Sequence, residues 1–246
     1  MMATGVEPIS LVLLPGLDGT GILFRRMLAL LPSDLKPVVV RYPADRELKY
    51  EALFPLVMEV LPKDEPFILF GESFSGPLAI MAAATKPANL RGLILCASYV
   101  TPPLPALKWF VPFLSRGWFF RLFPRTLLMR LGARFRYRIN MSGELTEVDS
   151  IVSPELIAFR IRDLFHVDAR RALAECTVPI MYMAAGSDFV VPHWNLRTIQ
   201  RIKPDMTVVT ISGPHFIAQA RPAEVVEAIG RFRAALIAGD GNLGLL

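Results

Sequence analysis

A serine, an aspartate and a histidine stand in this chain each in a small-residue turn that follows a short apolar run. Together they have the composition of an acyl-transfer site. Ser73 lies in Gly71-Glu-Ser-Phe-Ser75, Asp188 in Gly186-Ser-Asp188 and His215 in Gly213-Pro-His215. A serine hydroxyl is a poor nucleophile until a base takes its proton, and the base needs a third group to hold its tautomer and to stabilise the imidazolium. Ser73 as nucleophile, His215 as base and Asp188 as orienting acid fill these roles in that chain order. Ser75 is a second hydroxyl in the same turn, but two residues beyond it stands Pro77, bulky where a small residue is wanted. His166 and His193 compete for the base, one in a helical stretch and the other just after Pro192 at a helix start. Asp163 and Asp168 are alternatives to Asp188, which could also serve only as a turn or capping residue.

These residues need a frame, and the hydropathy pattern provides one. Apolar runs at 9–14, 36–41, 66–70 and 90–97 read as strands buried on both faces, separated by helical patterns at 22–31, 50–61 and 77–85. Strands alternating with helices at this spacing predict a mostly parallel central sheet with helices on both faces, an α/β class fold. From 101 to 174 the alternation stops: Pro102, Pro103 and Pro105 lead into helical periodicity crowded with Trp109, Phe110, Phe113, Trp118, Phe119, Phe120, Leu122 and Phe123. Ser153-Pro154 then starts a helix through a side-chain cap and a proline at its first position. Strand pattern returns at 178–184 and 206–211, with helices at 192–202 and 222–237. The expected organisation is a core of 1–100 and 175–246 with a helical cap at 101–174. In an open parallel sheet the ligand lies beyond the carboxyl ends of the strands, which is where Gly16-Leu-Asp-Gly19, Ser73, Asp188 and His215 fall.

Composition narrows the classes. The chain has 246 residues, 53% of them apolar, enough for a large buried core. It has no uninterrupted apolar stretch of spanning length, and its first residues lack the basic start of a signal peptide. Two cysteines, Cys96 and Cys176, in apolar surroundings read as buried free thiols of a reducing compartment, so a cytoplasmic location is expected. With three histidines and no Cys/His cluster, no metal site is expected. The net charge of +5 is concentrated between Glu72 and Glu144, where no acidic residue occurs while Lys86, Arg91, Lys108, Arg116 and further arginines do. Such a region favours phosphate-bearing carriers or anionic lipid, or is a solvated face without a partner.

Three loops, Gly71-Glu-Ser-Phe-Ser75, Gly186-Ser-Asp-Phe-Val-Val-Pro192 and Gly213-Pro-His-Phe216, with helices inserted after the fourth strand, resemble the α/β-hydrolase superfamily. Leu14-Pro-Gly-Leu-Asp-Gly-Thr-Gly21 adds a likeness to small bacterial esterases and, more briefly, to the hydrolase-like part of plant lipid acyltransferases. Ser75 replaces the usual second glycine of the elbow, and Pro15 stands where many members have histidine. The resemblance implies an oxyanion hole made by the backbone N–H groups of Leu17 and Phe74, with Gly16 letting its loop approach the substrate. It also implies a cap over Ser73 whose Trp109, Phe110 and Trp118 line an apolar acyl pocket. The same aromatic and basic residues have the composition of an interfacial surface for anionic lipid.

The function expected is hydrolysis of small-molecule carboxylic esters of short to medium acyl chain through an acyl-enzyme on Ser73. It calls for no metal or organic cofactor and no nucleic acid, and it leaves oligomeric state open. Acyl transfer, thioester hydrolysis on a phosphate-bearing carrier and a non-catalytic binding module are the competing readings.

Overall fold

The computed structural model of the chain describes residues 8–110 and 141–239. Six strands form one sheet in the order β2-β1-β3-β4-β5-β6: β1 Ile9–Leu14, β2 Leu35–Val39, β3 Phe67–Glu72, β4 Leu90–Cys96, β5 Ile180–Ala185 and β6 Thr207–Ile211. Every neighbouring pair is parallel. The described helices are α1 Arg25–Leu28, α2 Tyr50–Val60, α3 Gly76–Ala84, α4 Ser142–Ile151, α5 Pro154–Leu164, α6 Arg170–Glu175, α7 Trp194–Ile202, α8 Ile217–Ala220 and α9 Pro222–Ala238.

The near-continuous apolar runs become β1, β3 and β5, buried along their whole length. Side-chain alternation then sorts them by face. Val12, Leu14, Leu69, Leu93 and Leu95 turn to one side and meet α2, α3, α6 and α7. Leu11, Leu13, Ile68, Phe70 and Ile94 turn to the other and meet α1, α8 and α9. β2 is an edge strand with exposed Lys36 and Pro37, a tolerable place for a residue without an N–H. The expected parallel sheet, covered on both faces, is therefore present.

Two elements differ from the hydropathy reading. The helix expected over 22–31 is a single turn of 3-10 helix, Ile22–Phe24, followed by the four residues of α1. It is bounded by Gly21, whose φ of 72° is left-handed, and by Pro32, which disfavours helical backbone before it. β3 runs on through Gly71 and Glu72, because Leu14 and Cys96 pair with them from either side.

Between β4 and β5 the described chain carries helices and no strand. A third apolar cluster joins Leu23 to Met141, Leu145 and Val148 of the α4 region and to Val152, Leu156 and Ile157 around α5, so these helices sit over the carboxyl end of β1. Ion pairs Arg25–Glu147 at 2.9 Å and Arg26–Glu144 at 2.7 Å flank that cluster; they are at least partly exposed and add little beside it. α6 crosses the expected end of the insertion at 174, and its Leu173 is buried in the core under α3. Phe113, Trp118, Phe119, Phe120, Leu122 and Phe123 lie outside the described residues.

Candidate active site

The turn from β3 into α3 lifts Ser73 off the sheet. Its φ is 48°, a left-handed conformation costly for any residue with a Cβ and held only where the surroundings over-determine it. Three contacts do so. Ser98 Oγ donates to Ser73 O at 2.7 Å, Tyr50 Oη donates to Phe74 O at 2.8 Å, and Ser75 Oγ donates to Pro15 O while lying 2.6 Å from Tyr42 Oη. Ser75 is thus fully buried and ties the elbow to the loop after β1. Strand and helix approach so closely that a Cβ on Gly71 would come 2.7 Å from that of Ala79. The tightest position is one that the sequence reading did not single out: a Cβ on Gly76 would stand 1.7 Å from Ser98 Oγ.

From this apex Ser73 Oγ is 2.8 Å from His215 Nε2, and His215 Nδ1 is 2.8 Å from Asp188 Oδ2. The second carboxylate oxygen of Asp188 accepts from the N–H groups of Val190 at 2.9 Å and Val191 at 2.7 Å, which fixes the acid in its loop. With Nδ1–H donating to this carboxylate, the Nε2 lone pair is left facing the serine hydroxyl, the tautomer a general base requires. Both side chains are almost wholly enclosed, His215 at 7% and Asp188 at 3% exposure, so their attraction is little screened. The competing residues take no part in this relay. His166 Nδ1 lies 3.0 Å from Arg162 O, His193 precedes α7, Asp163 accepts the Tyr50 N–H at 2.8 Å and Asp168 pairs with Arg170.

Beside Ser73, Gly16-Leu-Asp-Gly19 forms a turn closed by Gly19 N–H on Gly16 O at 3.0 Å. Leu17 N–H has no hydrogen bond among the described residues, and Phe74 N–H belongs to the first turn after the elbow, where amides lack helical partners. A cavity of about 120 Å³ opens between them and His215, walled by Gly16, Leu17 and Leu23, by Leu145 and Val148 of α4, and by Val190 and Phe216. The apolar wall therefore comes in part from α4, whose contribution the aromatic pattern did not reveal. Trp109 is not in that wall; it is 89% exposed. Phe110 ends the 3-10 helix Pro105–Phe110, and Trp118 lies outside the described residues. Among the described residues no cluster of His, Cys, Asp and Glu side chains could hold a metal ion.

One titratable group in this wall escaped the sequence reading. Glu72, directly before Ser73, is 5% exposed and accepts from Gln219 Nε2 at 2.9 Å. Burial above all, with Asp18 adding to it, pushes its carboxyl up to about 7 against the opposing pull of Gln219, His215 and the Gly16 amide. A carboxyl raised in the folded state holds a proton that the unfolded chain has lost, so stability falls as pH climbs from about 4.5 to about 7 and is flat above. Glu72→Gln is expected to remove this slope. In thermal melts at pH 5 and pH 8 the wild type should lose up to roughly 3 kcal/mol from this group, and the variant should lose measurably less. An identical pH dependence in both proteins would contradict the assignment.

The family described as "Serine aminopeptidase, S33" matches residues 51–219. A pimeloyl-[acyl-carrier protein] methyl ester esterase of Xanthomonas oryzae pv. oryzae is 29% identical over 197 residues, covering 75% of this chain and 78% of that one. Its counterpart in Xanthomonas axonopodis pv. citri is 28% identical over the same coverage. Among solved structures, a hydrolase from Pseudomonas aeruginosa superposes with a TM-score of 0.74 at 16% identity, over 95% of this chain and 92% of that one. MenH from S. aureus superposes with a TM-score of 0.73 at 16% identity, over 96% and 97%. At such identities the superpositions speak for the fold alone, which is that of α/β-hydrolases.

Proposed function

This chain belongs to the serine aminopeptidase S33 family of α/β-hydrolases and is a serine hydrolase; on that footing we propose that it cleaves carboxylic esters of short to medium acyl chain through an acyl-enzyme on Ser73. The observation that carries this reading is the hydrogen-bonded relay from Ser73 through His215 to Asp188, opening on a small apolar cavity. His215 Nε2 takes the Ser73 proton as Oγ attacks the ester carbonyl. Charge gathers on the former carbonyl oxygen and is held by the N–H groups of Leu17 and Phe74. Collapse expels the alcohol, which receives the proton from His215. A water molecule, deprotonated by the same nitrogen, then releases the acid. Asp188, hydrogen-bonded to Nδ1, holds the ring in place and steadies the imidazolium.

The Xanthomonas relatives, named for a methyl ester carried on an acyl-carrier protein, favour a second reading: an ester whose acid portion is delivered by a phosphate-bearing carrier. The excess of basic residues from Lys86 onward has the charge that would suit such a carrier. Among the described residues no helix is long and apolar enough to cross a membrane. The two buried free thiols, Cys96 and Cys176, suit a cytoplasmic enzyme.

The test is turnover of nitrophenyl esters from acetate to palmitate, beside a methyl ester of a diacid supplied free and bound to acyl-carrier protein. Turnover that peaks among the shorter nitrophenyl esters supports the simple esterase. A preference for the carrier-bound ester moves the second reading ahead. Inactivity on every ester contradicts both.

A further inference from the structure

Arg160 is the bulkiest fully enclosed side chain among the described residues, 1% exposed, and the proton relay makes no use of it. A guanidinium is kept out of water only where its N–H groups are taken up. Here Nη1 donates to Leu17 O at 3.0 Å and to Asp18 O at 2.7 Å, Nη2 donates to Pro43 O at 3.0 Å, and the cation lies 5.8 Å from the centre of the Tyr42 ring. Leu17 and Asp18 are the two central residues of the turn that Gly19 closes on Gly16. Arg160, standing on α5, therefore grips both central carbonyls of the loop that presents the Leu17 amide. The fit is close: Gly19 has a φ of 72°, and a Cβ there would stand 2.6 Å from Nη1.

The Gly16–Leu17 peptide is held from both ends, its carbonyl on Gly19 N–H and the next carbonyl on Arg160. Three residues along the same helix, on the same face, Asp163 accepts the Tyr50 N–H at 2.8 Å, and Tyr50 Oη in turn donates to Phe74 O at 2.8 Å. One face of α5 thus reaches the loop bearing Leu17 directly and the elbow bearing Phe74 through Tyr50.

We propose that Arg160 is a positioning residue for the oxyanion hole: through the carbonyls of Leu17 and Asp18 it aims the Leu17 N–H at the oxygen that becomes charged when Ser73 attacks. This rests on the ester-hydrolase reading of the site. It makes α5 part of the catalytic frame, although α4 and not α5 walls the cavity. An amide turned off its line is felt in the transition state and hardly in the ground-state ester, so the defect belongs in kcat.

The experiment compares wild type, Arg160→Met and Arg160→Lys on nitrophenyl butyrate. It also measures affinity for a trifluoromethyl ketone, whose carbonyl carbon bonds to Ser73 Oγ as His215 Nε2 takes the hydroxyl proton and the ketone oxygen takes the π electron pair as an oxyanion. Arg160→Met should lower kcat by about 10²-fold. KM should stay within about twofold, and ketone affinity should fall by the same factor as kcat. Arg160→Lys keeps a buried cation with N–H donors but not the planar fork, and should recover part of both losses. If the methionine variant does not fold, the lysine variant carries the comparison alone. A wild type inactive on every ester overturns the underlying reading of the site. An active wild type with kcat and ketone affinity unchanged in the variants overturns the role of Arg160, and so does a rise in KM with kcat intact.

Discussion

Ser73→Ala leaves a folded protein whose kcat on nitrophenyl butyrate is lower by about 10⁶-fold, the loss seen when an acyl-transfer nucleophile is removed from an otherwise complete site. The fold survives because the elbow does not depend on the hydroxyl. Its left-handed φ of 48° suits alanine no worse than serine, and the bonds from Ser98 Oγ to residue 73 O and from Tyr50 Oη to Phe74 O are made to main-chain atoms that the substitution keeps. KM for the ester should change little, since the apolar wall of Leu17, Leu145, Val148 and Phe216 is untouched. Circular dichroism and thermal melting check the first point and steady-state kinetics the second. Residual activity near the wild-type level would transfer the nucleophile's role to another hydroxyl.

Asp188→Asn is expected to cost about 10⁴-fold in kcat with the loop intact. The reason lies in which oxygen does what. Oδ1 accepts the N–H groups of Val190 and Val191, a task the asparagine carbonyl oxygen performs equally well. The other position then carries an NH₂ group facing His215 Nδ1, where Oδ2 had accepted at 2.8 Å. To pair with that donor the imidazole must hold its proton on Nε2, and a protonated Nε2 at 2.8 Å from Ser73 Oγ has no lone pair to offer. The defect is one of tautomer, so raising the pH should not restore activity. Kinetics from pH 6 to pH 9 check this; a variant that regains wild-type kcat at high pH would contradict it.

How much of this was legible in the sequence follows from the range over which each feature is determined. The residues that meet at the relay each follow an apolar run, and small neighbours mark their turns, so local pattern sufficed to single out Ser73, Asp188 and His215. The sheet was legible for the same reason, since β1, β3, β4 and β5 are nearly unbroken apolar runs. What local pattern does not carry is which distant side chain fills a given space. Gly76 is demanded by Ser98, which arrives from the end of β4. Glu72 meets Gln219 across 147 residues, and nothing around either reads as a buried pair. Arg160 sits in an α5 whose charged residues look like a solvated face, yet it and Asp163 are turned inward. Aromatic density drew attention to Trp109, which is exposed, while Leu145 and Val148 of the plainer α4 form the wall.

On this reading Ser73 is the single nucleophile, activated by His215. The most direct test is the intact mass of wild type and Ser73→Ala after treatment with a fluorophosphonate, followed by peptide mapping. The expected result is one adduct per wild-type chain, carried on the peptide containing Ser73 and formed far more slowly in His215→Ala, with none on Ser73→Ala. An adduct that persists in Ser73→Ala, or that maps to a different residue, would contradict the account.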